Sequence, residues 1–281
     1  MKDQRITLNC KGQLLVLDQP KVMGILNVTP DSFFDGGKWN SEDAILKHTE
    51  HMLSEGASFI DVGGLSTRPG SEEIGIQEES DRVCKAISKI KKAFPETLIS
   101  IDTYRAEVAK NAVQEGASII NDVSGGNMDP EMFTTVAALN TPYILMHMQG
   151  TPKTMQDNPH YEDVSKDVLD FFIKKIEALR ALGVKDIVLD PGFGFGKTLE
   201  QGYTLLNQMH VFQILELPIL AGISRKSMIC KALKVNPENA LNGTTALHMV
   251  ALQQGAKILR VHDVKEAVEV IKLYEMLEAN P

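Results

Sequence analysis

The sequence has no surplus of positive charge, no long apolar run and no cysteine pattern, and each lack removes a class of protein. Lys and Arg number 29 against 37 Asp and Glu, a formal net charge of -8. That balance excludes a general nucleic-acid binder while leaving room for a local basic pocket. No apolar stretch approaches the roughly 18 residues that span a bilayer. The opening MKDQRITLNCKG lacks the apolar core of a signal peptide, so a cytoplasmic protein is expected. Cys10, Cys84 and Cys230 are odd in number and lack metal-type spacing, as expected of idle thiols in a reducing compartment. Neither common phosphate-loop motif is complete. PGFGFGKT (191–198) ends like a Walker A loop but holds Pro191 where that motif needs Gly. Its G-x-G-x-G spacing is not the G-x-G-x-x-G of dinucleotide sites. No linker, low-complexity segment or domain boundary interrupts the chain.

What is present is an ordinary soluble composition, 43% apolar and 23% charged over 281 residues, enough for one large domain (1–281). A faint echo recurs as EGASFIDVGG at 55, EGASIINDVSGG at 115, LGVKDIVLDPG at 182 and QGAKILRVHDV at 254. Each begins with a Gly suited to close a helix, then enters an Ile/Val/Leu/Phe strand ending in Asp, Asn or His. Helical spacing precedes them, as with Val108, Ala112 and Val113, or Val168, Phe172, Ile176 and Leu179. The echoes lie about two βα units apart. KVMGILNVT precedes the first, and TLISIDT, PYILMHM and LPILAGIS fill the gaps. Eight strands alternating with helices predict a (β/α)8 TIM barrel over residues 20–281. A doubly wound open sheet is the competing fold. Residues 1–19 read as a β-hairpin turning at Lys11-Gly12 and covering the barrel bottom.

The strand ends carry Asn27, Asp61, Asp102, Asn121-Asp122, His147, Asp190, Ser224 and Arg260-His262. In a barrel such ends converge on one mouth. For Asp61, Asp122 and Ser224 a capping or loop-bonding role is the simpler reading. Eight polar ends together predict a polar pocket, because unpaired buried polar groups cost kilocalories each. Asp102, Asn121 and Asp190 suit a flat heterocycle with several N–H donors. Arg68, Lys226, Arg260 and His262 suit phosphate oxygens, and the Asn27 oxygen suits a hard cation such as Mg2+. The glycine-rich turn after the sixth strand is expected to set Phe193, Phe195 and Lys197 at the mouth. His48 and His51 read as solvated surface, and Met146 and Met148 as packing, with Met146 able to flank a planar ligand. The loop MGILNVTPDSFFDGG remains odd, since Phe33 and Phe34 sit in a polar, glycine-bounded segment.

The segments MGILNVTPDSFFDGG, GGLSTRPG, SIDT, INDVSGG, LMHMQGTP, LDPGFGFGK, GISRKS, NGTTALH and RVHDV span roughly residues 20–275. In that order they resemble dihydropteroate synthase, a family of folate-biosynthesis enzymes. The resemblance implies a (β/α)8 barrel, a homodimer and a Mg2+-requiring transferase. Its reaction joins 6-hydroxymethyl-7,8-dihydropterin diphosphate to 4-aminobenzoate and releases diphosphate, and sulfonamides compete for the aminobenzoate place. Diphosphate is expected to leave first, through a cation-like pterin. By resemblance Asp102, Asn121, Met146, Asp190, Gly222 and Lys226 bind the pterin. Asn27, Ser66, Thr67, Arg68, Arg260 and His262 bind the diphosphate, with Mg2+ on Asn27. Phe33, Thr67, Pro69, Phe195, Lys226 and Ser227 bind the aminobenzoate.

The 29–38 loop is implied to close over the centre, with Phe33 shielding it and Asp35 acting near Mg2+ and Arg68. Asn27, Asp35, Arg68, Asp102, Lys226, Arg260 and His262 are the implied catalytic set. Leu65 and Phe34 depart from residues common in the family at those places, and altered loop packing is expected. Two other readings stay open. A pterin-binding methyltransferase domain of a corrinoid enzyme has no use for SRKS and STRPG. A silent pterin-binding paralogue predicts loss of Asn27, Lys226, Arg260 or His262, and all four stand.

Overall fold

Strands with a two-residue side-chain period must choose which face to bury, and here both faces are covered. In a computed structural model, residues 6–29, 41–65, 74–155 and 158–280 are described, the side chains of Ser41 and Glu42 excepted. The barrel strands are β3 (Lys21–Asn27), β4 (Phe59–Gly63), β5 (Leu98–Asp102), β6 (Ile119–Asp122), β7 (Tyr143–Met146), β8 (Ile187–Asp190), β9 (Ile219–Ala221) and β10 (Ala256–Val261). All pair in parallel, and β10 closes onto β3. Closure excludes the open doubly wound sheet.

Outside the strands run α1 (Ser41–Ser54), α2 (Ile76–Ala93), α3 (Ala106–Glu115), α4 (Met132–Leu139), α5 (Val164–Ala181), α6 (Leu199–Asn207), α7 (Ser227–Leu233), α8 (Leu241–Gln253) and α9 (Val264–Glu278). Each echo glycine sits where the chain turns back toward a strand, with φ of +105 at Gly56 and +122 at Gly116. Only glycine takes these angles without strain, which explains the repeat. The predicted helical positions Val108, Ala112, Val113, Val168, Phe172, Ile176 and Leu179 all face the core between helices and sheet.

The inner face divides into two layers. Met23, Phe59, Leu98, Ile119, Ile144, Val188, Leu220 and Ile258, one per strand, form an apolar plug. Fully burying a side chain of this size stabilises the fold by about 1.5–3 kcal/mol. Against the plug packs a hairpin, β1 (Thr7–Cys10) and β2 (Gln13–Val16), through Leu8, Cys10 and the following Leu17. The hairpin turns at Lys11-Gly12, both with positive φ (+55 and +89), as two-residue hairpin loops require. Two residues further along the same strands the face turns polar, with Asp61, Ser100, Asn121, Asp190 and Arg260 among its members. The alternation that plugs the bottom therefore also furnishes the mouth.

Candidate active site

Arg260 reaches across the barrel from β10 and organises the polar layer. Its Nε donates to Asp61 Oδ2 at 2.6 Å and its Nη2 to Asp102 Oδ2 at 2.6 Å. Asp61 Oδ2 also accepts from Asn121 Nδ2 at 3.0 Å. Burial alone would lower the guanidinium, but Asp61 and Asp102 outweigh it and hold Arg260 firmly charged. Burial pushes the Asp102 carboxyl up to about 7 against the pull of Arg260. Asn27, at the end of β3, lies near Asp102 across Gly63. A Cβ on Gly63 would stand 3.5 Å from both Asn27 Oδ1 and Asp102 Cβ.

On the opposite side, Lys226 comes from the segment between β9 and α7. Its Nζ donates to the Phe193 carbonyl at 2.6 Å and stands 4.6 Å from the centre of the Phe195 ring, a cation–π distance. Burial pulls this amine down to about 8, with Asp190 opposing the fall and Arg260 adding to it. Asp190 ends β8 and accepts the Gly192 N–H at 2.7 Å. Its burial raises the carboxyl, against Lys226. A Cβ on Gly222 would stand 3.7 Å from Asp190 Oδ2 and 3.8 Å from Lys226 Nζ. Gly222 therefore keeps open the space beside both groups. Met146 is buried next to Tyr104, Val123, Met148 and Met155, and Leu65 and Phe195 pack on the same cluster. The departure at Leu65 thus adds apolar surface to this wall. Ser227 and His262 are exposed at the rim, and the His262 N–H donates to Ser224 Oγ at 3.2 Å.

Several expectations need correction. Lys197 and Phe193 are not at the mouth: both are buried, at 4% and 0% exposure, because the glycine turn folds their side chains inward. His147 is likewise buried, edge-on to Phe171 with ring centres 4.9 Å apart, and burial beside Lys197 holds the imidazole neutral. Asp122 bonds its own loop, as its simpler reading had it, accepting from Ser124 N, Gly126 N and also the Tyr143 hydroxyl at 2.7 to 2.8 Å. Ser224 serves the backbone, as its simpler reading had it. Asp61 does not; it is fully buried and holds Arg260. Its signal was its inward phase in FIDVG, two residues after the plug residue Phe59. Phe33, Phe34, Asp35, Ser66, Thr67, Arg68 and Pro69 lie outside the described residues.

A closed parallel barrel whose mouth holds buried carboxylates, an amide and two cations defines a pterin-binding barrel enzyme. The family model described as pterin binding enzyme matches residues 23–262. Dihydropteroate synthase of Escherichia coli (strain K12) is 46% identical over 270 residues, 95% of either chain. The structure of Yersinia pestis dihydropteroate synthase with a sulfonamide drug complex superimposes with a TM-score of 0.91 at 44% identity, over 98% of this chain and 100% of that one. The Xanthomonas albilineans enzyme with 4-aminobenzoic acid gives 0.92 at 39%, over 99% and 100%. The chain belongs to the dihydropteroate synthase family, transferases of a pterinylmethyl group. The full-length match to synthases decides against the corrinoid-enzyme reading.

Proposed function

We propose that the barrel mouth condenses 6-hydroxymethyl-7,8-dihydropterin diphosphate with 4-aminobenzoate. The observation that carries this is the amine of Lys226, held near Asp190 and over the Phe195 ring. It stands where a carboxylate-lined floor meets the rim. That floor suits a pterin edge: Asp190 accepts from the 2-amino group and ring N–H, and Asn121 and Asp102 meet the remaining edge. Met146 lies against the ring face and Gly222 leaves it room. Phe195 and Ser227 take the aminobenzoate, and the Xanthomonas relative with 4-aminobenzoic acid supports that substrate. Thr67, Pro69 and Phe33 join them by resemblance.

Arg260 keeps Nε on Asp61 and Nη2 on Asp102 and presents its remaining N–H groups to the diphosphate, with His262, Ser66, Thr67 and Arg68. As the carbon–oxygen bond breaks, the leaving electrons go to diphosphate, and positive charge grows on the pterin methylene. Asp102, and Asp35 by resemblance, steady that charge. The aniline nitrogen then forms the carbon–nitrogen bond and loses its proton, a route that needs no strong base.

The Mg2+ fits a sparse donor set. Asn27 Oδ1 is a neutral hard oxygen beside Asp102, and no cluster of three or more His, Cys, Asp or Glu suits a metal among the described residues. Such a site matches an ion held mostly by substrate oxygens and water. When bound, the ion neutralises charge on the diphosphate.

The chain works as a homodimer in a reducing cytoplasm. Its three cysteines are free. No helix among the described residues is long and apolar enough to cross a membrane. Leu233 on α7 and Leu273, Met276 and Leu277 on α9 are more than half exposed and offer apolar surface to a second copy.

The test is diphosphate release with Mg2+, with and without 4-aminobenzoate, for the wild type and Lys226→Ala. Release that depends on aminobenzoate and is lost in the variant is expected. Tight pterin binding without release under any condition would promote the silent paralogue instead.

A further inference from the structure

Lys197 is a buried lysine for which the reaction above has no task. Its Nζ lies 3.0 Å from His147 Nδ1, 3.0 Å from the Gly192 carbonyl and 3.1 Å from the Phe195 carbonyl. A fourth oxygen, of His147, stands at 3.5 Å. Burial pulls this amine down to about 7, with Asp190 opposing the fall and Lys226 adding to it. As an ammonium it donates to all three near acceptors, and as a neutral amine it donates to both carbonyls and accepts from the His147 Nδ1–H, so the same three ties hold in either form.

The two carbonyls bracket Phe193. Gly192 and Phe195 lie on either side of the residue whose own carbonyl receives the Lys226 amine, and Phe195 also supplies the ring under that amine. Two of the turn's glycines leave no room for a side chain. A Cβ on Gly192 would stand 1.9 Å from the His147 oxygen, and one on Gly196 would stand 2.5 Å from the Gln149 oxygen. The backbone is therefore pressed against the continuation of β7, and the Lys197 amine occupies the inside of the turn.

We propose that Lys197 is a positioning residue for Lys226. Its buried amine, seated on His147, fixes the Gly192–Phe195 turn so that the Phe193 carbonyl and the Phe195 ring hold the Lys226 amine beside Asp190. The functional consequence rests on the reading of Lys226 as the substrate-holding amine; the structural link between the two lysines does not. Charged groups facing Lys226 are Asp190, Arg260 and Asp102, and those facing Lys197 are Asp190 and Lys226.

The test labels amines competitively with acetic anhydride across pH and reads Lys226 by mass spectrometry. It is run on the wild type, Lys197→Met and Tyr161→Phe, beside kcat and KM for 4-aminobenzoate. Tyr161→Phe removes a different tie to the same loop, the hydroxyl bond to the Gly196 carbonyl at 2.7 Å. In Lys197→Met the titration of Lys226 should move up toward that of an ordinary lysine. KM for aminobenzoate should rise about ten- to a hundredfold, the scale of a misplaced positioning group. Tyr161→Phe should lower Tm and leave both readouts in place.

A folded Lys197→Met protein with wild-type Lys226 titration and KM but lower Tm would reduce Lys197 to a structural role. If that variant does not fold, His147→Phe decides. It keeps a ring against Phe171, removes the Nδ1 partner, and should shift Lys226 in the same direction; an unshifted Lys226 overturns the proposal. Because labelling needs no turnover, a wild type that releases no diphosphate would refute the functional reading while leaving this link testable.

Discussion

Asp61 is fully buried, with one oxygen accepting from both Arg260 and Asn121 and the other without a hydrogen-bond partner among the described residues. Its charge is what makes a buried guanidinium tolerable next to Asp102. Removing one partner of a buried pair leaves the other uncompensated, which costs about 3–5 kcal/mol. Asp61→Ala should therefore lose stability on that scale in chemical denaturation, and weaken pterin binding by calorimetry. A variant within about 0.5 kcal/mol of wild type, the range of ordinary surface changes, would show that Asp102 alone carries Arg260. The residue was the hardest to read from sequence. One polar residue in a strand looks the same whether it caps a loop or anchors a cation, and its partner is 199 positions away.

Elements, by contrast, declare themselves locally. Thr198 caps α6 with a reciprocal capping box: its hydroxyl accepts from Gln201 N at 3.2 Å, and Gln201 Oε1 accepts from Thr198 N at 2.8 Å. Thr198→Ala should cost about 1 kcal/mol, read as a shift in denaturation midpoint with KM for both substrates unchanged. A rise in KM would mean that the cap also steadies the glycine turn just before it. That turn shows where local reading stops. The glycines of PGFGFGKT announced a sharp turn, and Gly192, Gly194 and Gly196 all have positive φ. Whether Lys197 pointed out or in depended on carbonyls that the turn itself creates and on His147, 50 residues earlier. The sequence-based expectation placed it at the mouth; the acceptors hold it inside.

At the scale of the molecule, the barrel separates a dry end from a wet one. Cys10, on hairpin strand β1, faces the plug, where burial, aided by Asp186, pushes its thiol from the ordinary 9.0 up to about 12. The sign is that of an acid raised by folding. The folded state keeps its proton longer than the unfolded chain, so this contribution is complete below about pH 9 and fades as pH climbs toward 12. Iodoacetamide at pH 8 should accordingly modify Cys10 only at the rate of global unfolding. Labelling on the timescale of local opening would mean that the hairpin lifts off independently of the barrel.

The sequence by itself determined the barrel, since the count of eight strands, the two-residue alternation and the helix-closing glycines are all local properties. It also carried the family, through ordered motifs along nearly the whole chain. Only tertiary structure decided which polar strand ends work together. Asp61 and Asp102 meet Arg260 and Asn121 joins them through Asp61, while Asp122 and His147 turn away. Pairing across a closed barrel depends on register and tilt between distant strands, and so does the energy of a buried charge. No window of sequence contains either.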